Sequence, residues 1–118
     1  MTRRSVFVRG VRWAIFGAYL LLTILLSNMS RPPVSNSIPD TVLHALEFGG
    51  MAVLLLQALG PGLFRRHTAT SLAATSAFGI VYGVADEIHQ YFIPGRTSSI
   101  KDAAVDAAAT LVTVGVFA

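Results

Sequence analysis

The chain has 118 residues, of which 53% are hydrophobic and only 13% charged, and it contains no cysteine. Soluble domains carry about 25% charged residues, so this composition argues against a soluble fold, and the lack of cysteine excludes disulfides and cysteine-ligated zinc. The net charge of +3 at pH 7 does not indicate nucleic-acid binding, because the basic residues are scattered over termini and loops.

Four apolar runs follow one another along the chain. A helix that crosses a bilayer needs about 20 apolar residues, and each run is close to that length. The runs predict helices over about 11–29, 41–59, 69–91 and 100–118. Segments rich in Pro and Gly separate them, which is typical of loops. The sequence therefore predicts an all-α polytopic membrane protein, with a short N-terminal segment, 1–10, before a single domain of four transmembrane helices, 11–118.

The distribution of arginine and lysine predicts how these helices are oriented. Six of the nine basic residues either precede the first run or lie between the second and third runs, which places them on one side. Basic loops stay in the cytoplasm, so both termini are expected there. Alternatively, the arginine-rich start and the first run form a cleaved signal peptide, although no small-residue cleavage site follows.

All six acidic residues fall on the outer half of this topology. A charge at the centre of a membrane helix costs about 2.5–3.5 kcal/mol, so these groups are expected to pair. The second helix carries Asp40, His44 and Glu47 at i, i+4 and i+7, which is one helix face. We expect three helices and the loop arginine to line an outward-facing polar pocket. Its predicted members are Asp40, His44, Glu47, Asp86, Glu87, Gln90, Arg96, Asp102 and Asp106.

A structural interpretation competes with this one. Acidic residues at a helix N-terminus, such as Asp40 and Asp102, often compensate the helix dipole without any further role. That interpretation does not suit Asp86 and Glu87, which lie near a predicted helix C-terminus where negative charge is disfavoured. These two carboxylates therefore favour a specific partner.

The order and spacing of these polar residues resemble the VanZ-like family of small bacterial membrane proteins. The resemblance covers about residues 40–109. It rests on an Asp with a His four residues later, a Glu-x-x-Gln ending a helix, a Pro-Gly-Arg turn and two following acidic residues. In this chain the matching positions are Asp40, His44, Glu87, Gln90, Pro94, Gly95, Arg96, Asp102 and Asp106. Ala109 stands where family members often have Gly, which concerns helix packing rather than the pocket.

The resemblance implies a multi-pass protein of the bacterial cytoplasmic membrane that faces the cell envelope. The members that give the family its name are linked to resistance to the glycopeptide teicoplanin. By this resemblance the pocket is expected to bind a lipid, a cell-wall precursor or a lipophilic glycopeptide. Arg96 would contact an anionic group of that ligand. Membrane lipids are the expected partners, and an oligomer is compatible with the sequence.

Two further functions stay open. The first is a membrane enzyme acting on a lipid-linked substrate, with Glu87, His44 and Asp102 as catalytic candidates. The sequence requires no cofactor, but a divalent metal fits its oxygen and nitrogen ligands, with His44, Glu47, Glu87 and His89 as candidates. The second is a proton-coupled transporter, since chains of Asp, Glu and His mark proton paths.

Gly79 and Gly83 are four residues apart in the third run. This spacing of small residues lets two helices approach closely. Because four helices must already pack together, we expect it to serve packing within the chain rather than a dimer.

Overall fold

Four α-helices make up the described chain, and their bounds are α1 Arg3–Ser27, α2 Asp40–Leu59, α3 Ala69–Tyr91 and α4 Ile100–Val116. The structure is a computed structural model, and it describes residues 2–28, 39–62, 65–95 and 99–118, apart from the side chain of Asp40. The prediction of an all-α protein is confirmed.

Three of the helices begin at a side-chain cap. The hydroxyl oxygens of Thr2, Thr68 and Ser99 each accept a hydrogen bond from the backbone N–H three residues later. Such a bond satisfies one of the N–H groups that the first helical turn leaves without a partner. The caps therefore fix where α1, α3 and α4 start.

The predicted start of the first helix, at residue 11, is wrong. Helix α1 begins at Arg3, so most of the segment 1–10 is helical. The apolar run marks only the part of a helix that suits lipid, whereas the start is decided by the cap at Thr2. Arginines tolerate helical geometry well, and those on the first turns do not end the helix.

Successive helices run antiparallel in a bundle whose principal extents are 49 × 25 × 23 Å. The hydroxyl of Tyr19 in α1 donates to the backbone oxygen of Glu47 in α2, at 2.6 Å. We call the end where α1 and α3 finish and α2 and α4 begin the acidic end. The opposite end, which holds the arginines of α1, is called the basic end. Helix α4 packs against α2 and α3, and α1 packs mainly against α2.

The two glycines of α3 lie against α4. A Cβ atom at Gly79 would collide with the side chain of Thr110, and one at Gly83 would lie 2.9 Å from Cβ of Asp106. The spacing of these glycines therefore lets α4 approach α3, and it serves packing within the chain as predicted. The apolar core beside this contact consists of Phe16, Phe48, Met51 and Leu55.

The outer surface of the bundle is apolar on every helix. Leu21, Leu46, Val81 and Val112, one from each helix, are between 57% and 68% exposed, while Thr75 is fully buried. Helices α1 and α2 are long and apolar enough to cross a membrane, over Arg3–Ser27 and Thr41–Leu59. Apolar side chains outside and polar ones inside are the distribution expected of a bundle in lipid.

Candidate functional site

Four ionisable side chains meet in the interior of the acidic end. They are His44 from α2, Asp86 and Glu87 from α3, and Asp106 from α4. Each offers one nitrogen or oxygen atom, and these four atoms all lie within 4.8 Å of one another. All four residues are buried. We call these four residues the buried cluster.

The shortest contact between the cluster's own members joins α2 to α4. Nδ1 of His44 lies 2.7 Å from Oδ1 of Asp106 and 4.0 Å from Oε1 of Glu87. With Asp106 ionised, its oxygen can only accept, so Nδ1 of His44 is the donor. Hydrogen bonds of this charge-assisted kind are about twice as strong as neutral ones. His44 is thus held between two carboxylates from two other helices.

Asp86 connects the cluster to α1. Its Oδ1 accepts a hydrogen bond of 2.5 Å from the hydroxyl of Ser27, and its Oδ2 accepts one of 3.2 Å from Nε2 of Gln90. Ser27 and Gln90 are both buried. These donors compensate a negative charge that the C-terminal turn of α3 would otherwise disfavour.

Glu87 connects the cluster to the start of α4. Its Oε2 accepts a hydrogen bond of 3.1 Å from the backbone N–H of Ser99, whose own hydroxyl caps α4. The loop that leads from α3 to Ser99 turns at Gly95, where φ is +79°, a value that favours glycine. One carboxylate therefore ties the end of α3 to the beginning of α4.

Asp86 and Glu87 are neighbours in sequence, yet both are buried. Adjacent residues of a helix point about 100° apart, so a helix buries both only if it has partners on two sides. Helix α3 meets this condition, because Asp86 bonds to Ser27 of α1 while Glu87 approaches His44 of α2. The pair thus marks the point where all the helices of the described chain converge.

A cleft of about 190 Å³ opens between α1 and α3 beside the buried cluster. Its lining combines an apolar wall with a polar rim: Ile24, Tyr82 and Ala85, then Ser27, Asn28, Asp86 and His89. Nε2 of His89 lies 2.8 Å from Oδ1 of Asn28, so the rim spans both helices. We call this space the amphipathic cleft. Asp86 belongs both to the cleft and to the cluster.

The structure brings some of the sequence-predicted pocket residues together and separates others. His44, Asp86, Glu87, Gln90 and Asp106 lie in or directly against the buried cluster. Two others do not belong to the group of four: Glu47 and Asp102, both only partly buried. The side chain of Asp40, and Arg96 as a whole, lie outside the described residues.

The structure also brings together only some of the metal ligands predicted from the sequence. Of the four predicted from sequence, His44 and Glu87 are members of the buried cluster. Glu47 and His89 are not among its members, and His89 is exposed on the rim of the cleft. The two acidic members that sequence reasoning had placed only in the binding pocket are Asp86 and Asp106. An imidazole with three carboxylates can relay protons or bind a cation.

Sequence reasoning missed the contributions of Ser27, Asn28 and the backbone amide of Ser99. Ser27 and Asn28 are polar residues toward the end of the apolar run of α1, and this polarity was the available signal. The amide of Ser99 had no signal, because any residue supplies a backbone N–H.

Comparison with known proteins adds one finding. The VanZ-LLP1 family model, described as VanZ/LLP1, matches residues 17–118, which is nearly the whole chain. This match extends the resemblance beyond the residues that carry the motifs and includes most of α1. No curated protein and no solved structure is significantly similar to the chain.

Proposed function

This chain belongs to the VanZ/LLP1 family, and on that premise we propose that it is a multi-pass protein of the bacterial cytoplasmic membrane that binds the polar headgroup of a lipid-tailed envelope molecule. Membership of the family suggests a role related to glycopeptide resistance. An envelope lipid, a lipid-linked wall precursor and a lipophilic glycopeptide share this architecture of an apolar tail and a polar head. The binding site is the amphipathic cleft together with the buried cluster.

The observation that carries the proposal is the continuity of the cleft and the cluster at Asp86. The apolar wall, formed by Ile24, Tyr82 and Ala85, suits a tail that enters from the lipid. The rim offers hydroxyl, amide, carboxylate and imidazole groups to a polar head. A volume of about 190 Å³ holds a headgroup rather than a whole glycopeptide, since pockets for drug-sized ligands run from about 300 to 1,000 Å³.

Charge distribution and surface composition support the proposed membrane orientation. All four helices expose large apolar side chains, and two of them have the length and composition of a membrane span. The arginines of α1, together with Arg65 and Arg66, lie toward the basic end. Under the positive-inside rule this end is cytoplasmic, so both termini are in the cytoplasm and the acidic end faces the envelope.

Arg96 is the proposed contact for an anionic group of the ligand. In the sequence it directly follows Gly95, which is described and lies at the acidic end of the bundle. A guanidinium binds phosphate or carboxylate with two parallel hydrogen bonds, which Asp86, the carboxylate that lines the cleft, cannot offer to an anion.

Mass spectrometry of lipids retained by gently purified protein tests this function. We expect the wild type to retain a specific lipid or lipid-linked precursor, and Arg96→Ala and Glu87→Gln to lose it. Arg65→Ala is the matched control, since it removes a loop arginine at the opposite end of the bundle. Equal retention by all four proteins would contradict the proposal.

A second candidate is an acid–base enzyme acting on the same class of headgroup. The observation that favours it is the contact of 2.7 Å between His44 and Asp106, because a carboxylate that orients an imidazole is the arrangement of a general base. The same experiment separates the two functions. A chemically altered lipid, formed by wild type and not by His44→Gln, would establish the enzyme.

A further inference from the structure

The buried cluster has the composition and the spacing of a cation site. Three carboxylates and one imidazole, from three helices, supply atoms that all lie within 4.8 Å of one another. Two ligands on opposite sides of a divalent cation are about 4–5 Å apart, since the bonds to oxygen measure about 2.0–2.6 Å. The spread of the four atoms is therefore compatible with a single ion between them.

Asp106 provides an independent observation. It is completely buried, with an exposed fraction of 0%, and its Oδ2 has no hydrogen-bond partner in the described chain. Its other oxygen is held by His44. A buried carboxylate oxygen without a partner is unfavourable, and buried charges in proteins are generally paired or coordinate metals.

The negative charge of the buried cluster also favours a bound cation. Asp86, Glu87 and Asp106 would together carry three negative charges in a small buried volume, and a neutral His44, the form that can bind a metal, supplies no positive charge. Like charges so close together cannot all remain ionised unless a positive charge is present. A divalent cation would balance two of the three negative charges.

We propose that His44, Asp86, Glu87 and Asp106 bind one divalent cation of the Mn²⁺ and Mg²⁺ class. Carboxylate ligands favour Mg²⁺, Ca²⁺ and Mn²⁺, and the single imidazole favours Mn²⁺ among these. The set contains no thiolate and only one histidine, unlike the nitrogen- and sulfur-rich sites of structural zinc.

The cation explains how an acidic site can receive an anionic headgroup. Asp86 belongs to the cluster and also lines the amphipathic cleft, so an ion held by the cluster lies next to the cleft. A phosphate in the cleft can then complete the coordination of the ion, as substrate phosphates do at Mg²⁺ sites. In this respect the inference rests on the proposed function, and it narrows the ligand to a headgroup that carries phosphate.

Titration of Mn²⁺ into metal-free, full-length protein in detergent, followed by electron paramagnetic resonance, tests the site without any added lipid. We expect one Mn²⁺ per chain in the wild type and a loss of affinity of about 10- to 100-fold in Asp106→Asn. Thr113→Val is the matched control, because it removes a polar group of the same helix, two turns from Asp106, that bonds to the carbonyl of Ala109 in its own helix, and it should bind as the wild type does.

A spectroscopic signature keeps the test informative if Asp106→Asn fails to fold. Electron spin echo modulation should show coupling of Mn²⁺ to an imidazole nitrogen in the wild type and none in His44→Gln. Absence of a stoichiometric Mn²⁺ signal in the wild type, or unchanged nitrogen coupling in His44→Gln, would overturn the proposal.

Lipid retention with and without a chelator separates this inference from the function it rests on. A phosphate-bearing lipid that is retained with Mn²⁺ and released by chelator supports both. Stoichiometric Mn²⁺ with no retained lipid leaves the cation site standing and overturns the headgroup function. Retention that chelator does not change, with no Mn²⁺ bound, overturns the cation site and leaves the function standing.

Discussion

The two ends of the bundle both carry charge, but they hold it differently. At the acidic end the members of the buried cluster lie inside the bundle and are bonded across helices, as between His44 and Asp106. At the basic end Arg4 and Arg9 are exposed along an open groove of about 400 Å³. Arg12 on that groove donates to the backbone oxygen of Gly60, at 3.3 Å. Charge alone therefore does not distinguish the two ends, whereas burial together with hydrogen bonding between side chains of different helices does.

This difference separates the site from the charges that, under the proposed topology, orient the protein. An exposed arginine at a helix end reaches water or lipid headgroups at little cost, so its location reports topology. A charge inside the bundle is tolerated only with partners, so its presence reports a constraint beyond folding. Burial alone does not identify the site. His67 at the basic end is also buried, yet neither of its ring nitrogens has a hydrogen-bond partner in the described chain.

The largest difference in stability between the two ends is expected when the imidazole of each end is removed. His44→Ala leaves Asp106 buried without its partner, and such a loss costs about 3–5 kcal/mol. His67→Ala removes a ring that packs against Gly60 without hydrogen bonds, and roughly 1 kcal/mol is expected. Equilibrium unfolding in mixed detergent micelles measures both. Equal losses would mean that the contact between His44 and Asp106 contributes nothing beyond packing.

Adding a methyl group to a glycine tests the helix contact that supports the cluster. Gly79→Ala would force α3 away from Thr110 of α4, and overpacking of this kind costs about 1–3 kcal/mol. Gly17 in α1 has no atom within 4 Å of an added Cβ, so Gly17→Ala should stabilise by about 0.5–1 kcal/mol through helix propensity. Unfolding of the two variants should therefore shift in opposite directions. A stabilised Gly79→Ala would contradict the close approach of α3 and α4.

A smaller effect is expected from the hydroxyl that ties α1 to the cluster. Ser27→Ala deletes the donor to Asp86, and a loss of about 1–2 kcal/mol is expected for a bond to a charged group within a membrane protein. Ser76→Ala is the matched control, because that hydroxyl bonds only to the carbonyl of Leu72 in its own helix. Its expected change is below about 0.5 kcal/mol. If the two serines proved equivalent in unfolding, α1 would not be part of the site.

The order of the helices and the gathering of polar residues at one end could be predicted from the sequence. The apolar runs and the Pro- and Gly-rich segments between them place α2, α3 and α4 to within a residue or two, because such segments end helices. The start of α1 could not be predicted in this way. A capped helix extends past the apolar run when its further residues are polar but helix-compatible.

The membership of the buried cluster could be predicted only in part. Helical periodicity shows that His44 and Glu47 share a broad face, but it does not fix how α2 is rotated against its neighbours. In the structure His44 points to α4, while the backbone of Glu47 accepts from Tyr19 of α1. The same uncertainty of rotation applies to α3, where Asp86 enters the cluster and His89 lies on the rim of the cleft. Such rotations are set by packing between helices, which a single sequence does not specify.

The smallest structural change gives the most direct test of which end faces the envelope. The chain has no cysteine, so a single one can be introduced at an exposed position of either end without background labelling. Tyr91, 74% exposed at the acidic end, and Ser5, exposed near the start of α1, are suitable because neither packs in the core. In intact cells a membrane-impermeant maleimide should label Tyr91→Cys, whereas Ser5→Cys should react only after the membrane is permeabilised. Labelling with the opposite preference would place the buried cluster on the cytoplasmic side. The arginines of the basic end would then not act as topology signals, and the ligand would have to be sought among cytoplasmic headgroups.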